Sequence, residues 1–118
     1  MTDDSSKMRG YLVGEPLTAI CFVHNYVELQ FDEPIVRAFT GPLIRNGDEC
    51  VAFPDPGSRD RLCSMIGDVV TDVEVNNTQI ALRFRSGKMV IIPVDFDSRA
   101  GPEAAHFVVP SDRVMDVW

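Results

Sequence analysis

From residue 67 to 84 the chain runs GDVVTDVEVNNTQIALRF, and its apolar positions recur at every second residue. Ile80, Leu82 and Phe84 alternate with Ala81 and Arg83, and Val69, Thr71, Val73 and Val75 alternate with Val70, Asp72 and Glu74. Successive side chains of a strand point to opposite faces, so this period predicts strands with one buried and one wet face. The stretch 14–31, GEPLTAICFVHNYVELQF, carries the same signal, with Val27, Leu29 and Phe31 set against Glu28 and Gln30. Asn76-Asn77 and His24-Asn25 fall at matching points between runs, and asparagine's tolerance of positive φ suits a tight hairpin there. Asn46-Gly47 before ECVAF and Ser86-Gly87 before the apolar run 89–94 are further hairpin signals. Pro93 donates no ladder hydrogen bond, so it marks an edge strand or a strand end. Val114, Val117 and Trp118 in RVMDVW suit a last strand, for about eight short strands in all.

One short helix is predicted near residues 58–66. Ser58 can cap it, Asp60 complements its dipole, Gly67 can close it, and Leu62 and Ile66 share a face.

The two hairpin stretches match as more than patterns. Shifted by 53 residues, Gly14 falls on Gly67, Thr18 on Thr71, Leu29 on Leu82 and Phe31 on Phe84. With a shift of 54, Gly47 falls on Gly101, Glu49 on Glu103, Phe53 on Phe107, Pro56 on Pro110 and Arg59 on Arg113. Alternation explains matched apolar positions but not Gly, Thr, Glu, Pro and Arg in one order. The expectation is a mainly β fold made by internal duplication, its two similar β-units forming a partly closed barrel or sandwich. The copies would span about 14–66 and 67–118 within a single domain over 11–118, behind a polar tail, 1–10, that is disordered or loosely held.

Composition narrows the partners. A chain of 118 residues with 45% hydrophobic content can bury a core as one domain. Its 11 basic and 18 acidic residues give a net charge of −7. That sign repels phosphate backbones and anionic lipid, so neither nucleic acid nor membrane is an expected partner. The opening residues lack a secretory pattern, and the run 89–94 is too short to span a bilayer. Three unpaired-looking cysteines, Cys21, Cys50 and Cys63, argue against a disulfide framework. A reducing cytoplasm is expected, with the thiols as small core or near-surface groups.

Catalytic constellations are missing from the sequence. His24 and His106 stand without a nucleophile motif, and GxSxG, HExxH, CxxC, GxGxxG and GxxxxGK are all absent. Asp95, Asp97 and Glu103 share one loop, but Arg99 and the late Gly101 spoil a calcium pattern, and the plainer reading is a solvated acidic loop turned by Gly101-Pro102. Asp32 and Glu33 are adjacent and so point apart in an extended chain. Arg59, Asp60 and Arg61 at the predicted helix start could meet an anion, although a solvated helix end is the plainer reading. No catalytic, cofactor or metal residue is therefore named. The polar positions of interest are the matched Glu49, Glu103, Arg59 and Arg113, as inter-unit or interaction contacts, and the outward basic pair Arg83 and Arg85 near Lys88.

The motifs GxxxTxΦ and ΦxLxF, followed by PExxxFV within GPEAAHFVVP, resemble small bacterial β-proteins known as domains of unknown function, some encoded near toxin–immunity genes. The resemblance implies a stoichiometric binding protein of bacterial origin and carries over no functional residue. The expected function is a non-enzymatic protein-interaction module, with an immunity-type protein as one form of it, meeting a basic protein by charge complementarity. The alternatives are a small-molecule-binding barrel or minor enzyme with its site between the units near Phe31 and Phe84, and a homodimer through exposed strands.

Overall fold

The computed structural model describes residues 4–24 and 26–118. Among these lie ten strands and two α-helices. The order is α1 (Asp4–Leu12), β1 (Ala19–Val23), β2 (Tyr26–Gln30), β3 (Ile35–Ala38), β4 (Leu43–Asn46), β5 (Glu49–Ala52), α2 (Ser58–Cys63), β6 (Val70–Val75), β7 (Gln79–Phe84), β8 (Met89–Pro93), β9 (Ala105–Val109) and β10 (Val114–Val117). The strands form two five-stranded antiparallel sheets, ordered β1-β2-β3-β9-β10 and β5-β4-β8-β7-β6. Both sheets and both helices feed one core, in which Phe31, Phe107, Leu82, Ile92, Met8 and Leu62 are fully buried. The sheets keep separate edges, so the expected β fold stands as two packed sheets and no barrel closes.

Each sheet takes strands from both halves of the chain. Three strands of the first half, β1-β2-β3, continue into β9-β10. Three of the second, β6-β7-β8, continue into β4-β5. The leading hairpins share their register: Ile20 pairs with Leu29 and Phe22 with Val27 in one, Val73 with Leu82 and Val75 with Ile80 in the other. The segments before them cross in antiparallel pairing around the Pro16–Val69 bridge. Gly14 N–H donates to Val70 O at 2.9 Å and Gly67 N–H to Leu17 O at 2.7 Å. Leu17 N–H donates to Asp68 O at 2.9 Å and Val70 N–H to Glu15 O at 3.0 Å. Gly14 and Gly67 sit at φ 91° and 95°, where a side chain would be strained, which is why both positions are glycine. Beneath the crossing the Phe31 and Phe84 rings stack at 6.5 Å.

The matches made at a shift of 54 do not correspond in space. Val36 of β3 lies opposite Phe107, and Val90 of β8 lies opposite Ile44. In sheet order the counterpart of Phe107 is therefore Ile44 and not Phe53, which follows β5.

Other expectations change with the coordinates. Residues 4–10, expected as a loose tail, belong to α1, whose Met8 and Leu12 are buried one turn apart. Ser5 Oγ accepts from Val75 N–H at 2.7 Å, Arg9 pairs with Asp72 at 2.8 Å and Lys7 with Asp116 at 3.1 Å, so α1 spans from β6 to β10. Helix α2 ends at Cys63, and Gly57 at φ 87° is its N-cap. Ser58 lies inside the helix, with a buried hydroxyl that has no partner among the described residues. Met65 is buried beside Leu62, while Ile66 is exposed. In β6 a bulge between Val70 and Asp72 resets the alternation, so Val70 and Val73 are buried. Strand β8 is central, and Pro93 ends it beyond the last residue paired with β4. Asn76 makes its turn through its side chain, which accepts from the N–H of Thr78 and Gln79. Asn25 of the other expected turn lies outside the described residues. Cys21, Cys50 and Cys63 are free and exposed, not core thiols.

The burial of Met8 separates a docked helix from a loose tail. Met8→Ala should cost about 2–5 kcal/mol in urea unfolding, the range for an emptied core site. A tail would give a change within about 0.5 kcal/mol.

Candidate functional site

The outer face of the sheet β1-β2-β3-β9-β10 carries one residue per strand in register: Cys21, Glu28, Arg37, His106 and Val117. Outward positions of half-buried strands are where polar pairs and exposed apolar groups collect. Arg37 Nε donates to Glu28 Oε1 at 2.8 Å, and Gln30 Nε2 donates to Glu28 Oε2 at 2.8 Å. The hydrogen bond from the Arg37 guanidinium holds the Glu28 carboxyl below the ordinary range; burial opposes it, and the Gln30 hydrogen bond and the Arg37 charge add smaller lowering effects. Next in the row, His106 Nε2–H donates to Glu103 Oε2. The His106 side chain is 12% exposed and that of Glu103 46%. His106 Nδ1 is buried with no partner among the described residues. Phe39, just past β3, meets the His106 ring edge-on at 4.7 Å and the Tyr26 ring at 4.9 Å.

Phe39 and Glu103 are two walls of a cleft of about 480 Å³, completed by Ala100, Gly101 and Pro102. That volume is within the range of small-ligand sites. The segment 94–103 that forms it is braced from within. Arg99 donates through Nη2 to Val94 O at 2.9 Å and through Nη1 to Pro102 O at 3.2 Å, closing the loop on both ends. Ser98 Oγ donates to Asp95 Oδ1 at 2.7 Å. The ends are tied to the segment just past β3 that holds Phe39: Thr40 Oγ1 donates to Pro93 O at 2.6 Å and Phe39 N–H to Ala104 O at 2.9 Å. At the tip Phe96 stands between Asp95 and Asp97 with 84% of its surface exposed. On the other side of Phe39 a smaller pocket of about 210 Å³ is lined by His24, Tyr26, Thr40, Gly41, Phe53 and Pro54. A side chain at Gly41 would run into the Phe53 carbonyl oxygen.

Of the six polar positions expected from sequence, Glu103 lines the larger cleft. Glu49, on β5, accepts from Arg61 Nη1 at 2.6 Å at the exposed surface. Arg59, on α2, lies 4.8 Å from the Phe53 ring centre and 5.7 Å from that of Phe22. Both guanidinium groups of α2 are thus engaged. Arg113 occupies a left-handed turn at φ 56° between β9 and β10. Arg83 is exposed on β7 opposite Asp72, and Arg85 is exposed just beyond β7. The structure therefore does not bring these positions together as matched pairs. Sequence reading missed Phe39 and Phe96. The signal for Phe96 was an aromatic residue between two aspartates in a loop otherwise read as solvated.

Among the described residues there is no group of three or more side chains suited to a metal, and no helix is long and apolar enough to cross a membrane. No family model, curated protein or solved structure matches the chain.

Because the folded Glu28 carboxyl lies below its unfolded value, its stabilisation is full at neutral pH. It is lost as pH falls through the acid side of the ordinary glutamate range, about 4.3. Arg37→Met should move the Glu28 side-chain titration, followed by carbon NMR, upward and flatten the acid limb of the stability profile. An unmoved titration removes the assigned cause.

Proposed function

We propose that the chain is a non-enzymatic interaction module that captures a basic protein, with segment 94–103 as its leading contact. The observation that carries this reading is Phe96, an exposed aromatic held between two carboxylates on a braced loop. Large aromatics on rigid supports are the usual anchors of protein interfaces, and flanking charge selects the partner's sign. The net charge of −7 supports a cationic partner. So does the resemblance to immunity-type bacterial proteins. Three exposed, unpaired cysteines support a reducing compartment, the cytoplasm.

The same reading takes the chain as a duplicated β-unit whose copies exchange hairpins, on the support of the shared register and the reciprocal bonds around Pro16 and Val69. The Phe31–Phe84 stack fills the place where a ligand site between the units was expected, which weighs against the small-molecule alternative. Met115 and Val117, exposed on edge strand β10, favour a second reading in which two copies pair there. A monomeric mass in light scattering across dilution removes that reading.

The main reading is tested by capture from native cell extract with the wild-type chain and Phe96→Asp. The wild type should retain a discrete basic protein that salt releases, and the variant should lose it at least about tenfold, the scale of a hot-spot residue. Retention of nothing at low salt, or equal retention by both, overturns it.

A further inference from the structure

The cleft between Phe39 and Glu103 has a composition that specifies a ligand class. We infer that it is a binding site for a guanidinium group, the end of an arginine side chain offered by the basic partner. This deepens the interaction reading and rests on it for the source of the arginine.

The walls are an aromatic ring, Phe39, a carboxylate, Glu103, and the small surfaces of Ala100, Gly101 and Pro102. A planar guanidinium stacks on aromatic faces and donates in parallel to carboxylate oxygens, whereas a neutral polar group gains less from either wall. The Glu103 carboxylate is held by the His106 ring, which Phe39 in turn packs against. One carboxylate oxygen takes that bond, and the side chain keeps 46% of its surface open for a second donor. The acceptor is therefore oriented before a ligand arrives, which lowers the ordering cost of binding.

Local charge agrees. Segment 94–103 carries Asp95, Asp97 and Glu103 against the single cation Arg99. Arg99 is turned to the carbonyl oxygens of Val94 and Pro102, and the neighbouring Arg37 is paired with Glu28. An anionic ligand would face Glu103 with no cation assigned to it, so the sign of the site favours a cation. A wholly apolar ligand would leave the carboxylate desolvated without compensation.

The test uses the full chain and two small probes, acetyl-arginine amide and its neutral isostere acetyl-citrulline amide, titrated at low salt with amide NMR. Arginine amide should give saturable shifts centred on Ala100, Gly101, Glu103 and His106. Citrulline amide should bind at least about tenfold more weakly, the loss expected when a charge-assisted pair becomes neutral. Glu103→Gln should lose a similar factor for arginine alone. Gly101→Leu is the second variant: Gly101 lines the cleft and a Cβ built there meets no atom within 4 Å, so a leucine at this position should narrow the cleft without a backbone clash. It should abolish the shifts while keeping the unfolding midpoint. Equal binding of the two probes, shifts elsewhere, or an unaffected Gly101→Leu overturns the site. If the probes fail while the partner is still captured through Phe96, this inference falls and the interaction reading stands. If arginine amide binds and nothing is captured, the cleft is confirmed and its assignment to a protein partner is lost.

Discussion

The structure depends on one crossing. Residues 14–17 and 67–70 pair antiparallel through reciprocal backbone hydrogen bonds, and each lies between a helix and the first strand of its half. Left-handed glycines at 14 and 67 let the backbone leave each helix and enter the crossing without strain. Once the segments are crossed, Phe31 and Phe84 stack and each half's trailing hairpin lies against the other half's leading strands. Neither half can bury its apolar strand face alone, because two of the five strands in each sheet come from the other half. The sheets are therefore one cooperative unit, and contacts distant in sequence dominate its core.

What was legible in the sequence follows from how strongly each register was specified. Strand β2 alternates strictly with one face buried, and β7 buries Ile80, Leu82 and Phe84 at every second position, so a one-residue slip would turn those apolar side chains to the other face. Their match at a shift of 53 survives as shared pairing. Strands β4 and β5 have four residues each, with exposed ends, and too little alternation to anchor an alignment. The run from Gly47 to Arg59 consequently matched residues that lie in different elements. The bulge in β6 was invisible for a related reason: Val69, Val70, Val73 and Val75 offer apolar side chains to either face, and only the ladder with β7 decides between them. Helix α1 was hidden because Met8 and Leu12 are its sole fully buried apolar residues. Gly10 weakens its propensity, and its other ties, the Tyr11 ring against Phe107 and polar bonds, run to elements far along the chain.

The site was less legible than the fold. Phe39 follows one strand and Glu103 precedes another, and no periodicity connects them. They meet because β3 and β9 are neighbours, a pairing of strands far apart in the chain. His106 and Glu103 lie three residues apart, and their bond joins β9 to the end of the loop that Arg99 closes. The aspartates beside Phe96 read as ordinary solvated residues until that loop proved to be braced, because an exposed aromatic on a floppy segment would carry no such meaning.

Charge distribution completes the physical case. Lys7, Arg9, Arg37 and Arg61 are engaged in ion pairs within the molecule, Arg59 lies on two rings, and Arg99 is spent on carbonyl oxygens. Asp95 and Asp97 form no ion pair among the described residues. Exposed pairs are individually weak and add little stability, so these pairs matter more for the cations they withhold from the surface, while Arg83 and Arg85 stay exposed on and just beyond β7. Open carboxylates act over roughly a Debye length, about 8 Å at physiological salt, attracting cationic groups and repelling anionic ones. An aromatic tip and an oriented carboxylate then act only at contact. Long-range selection by sign and short-range selection by shape would thus be divided between different residues of a single ten-residue loop.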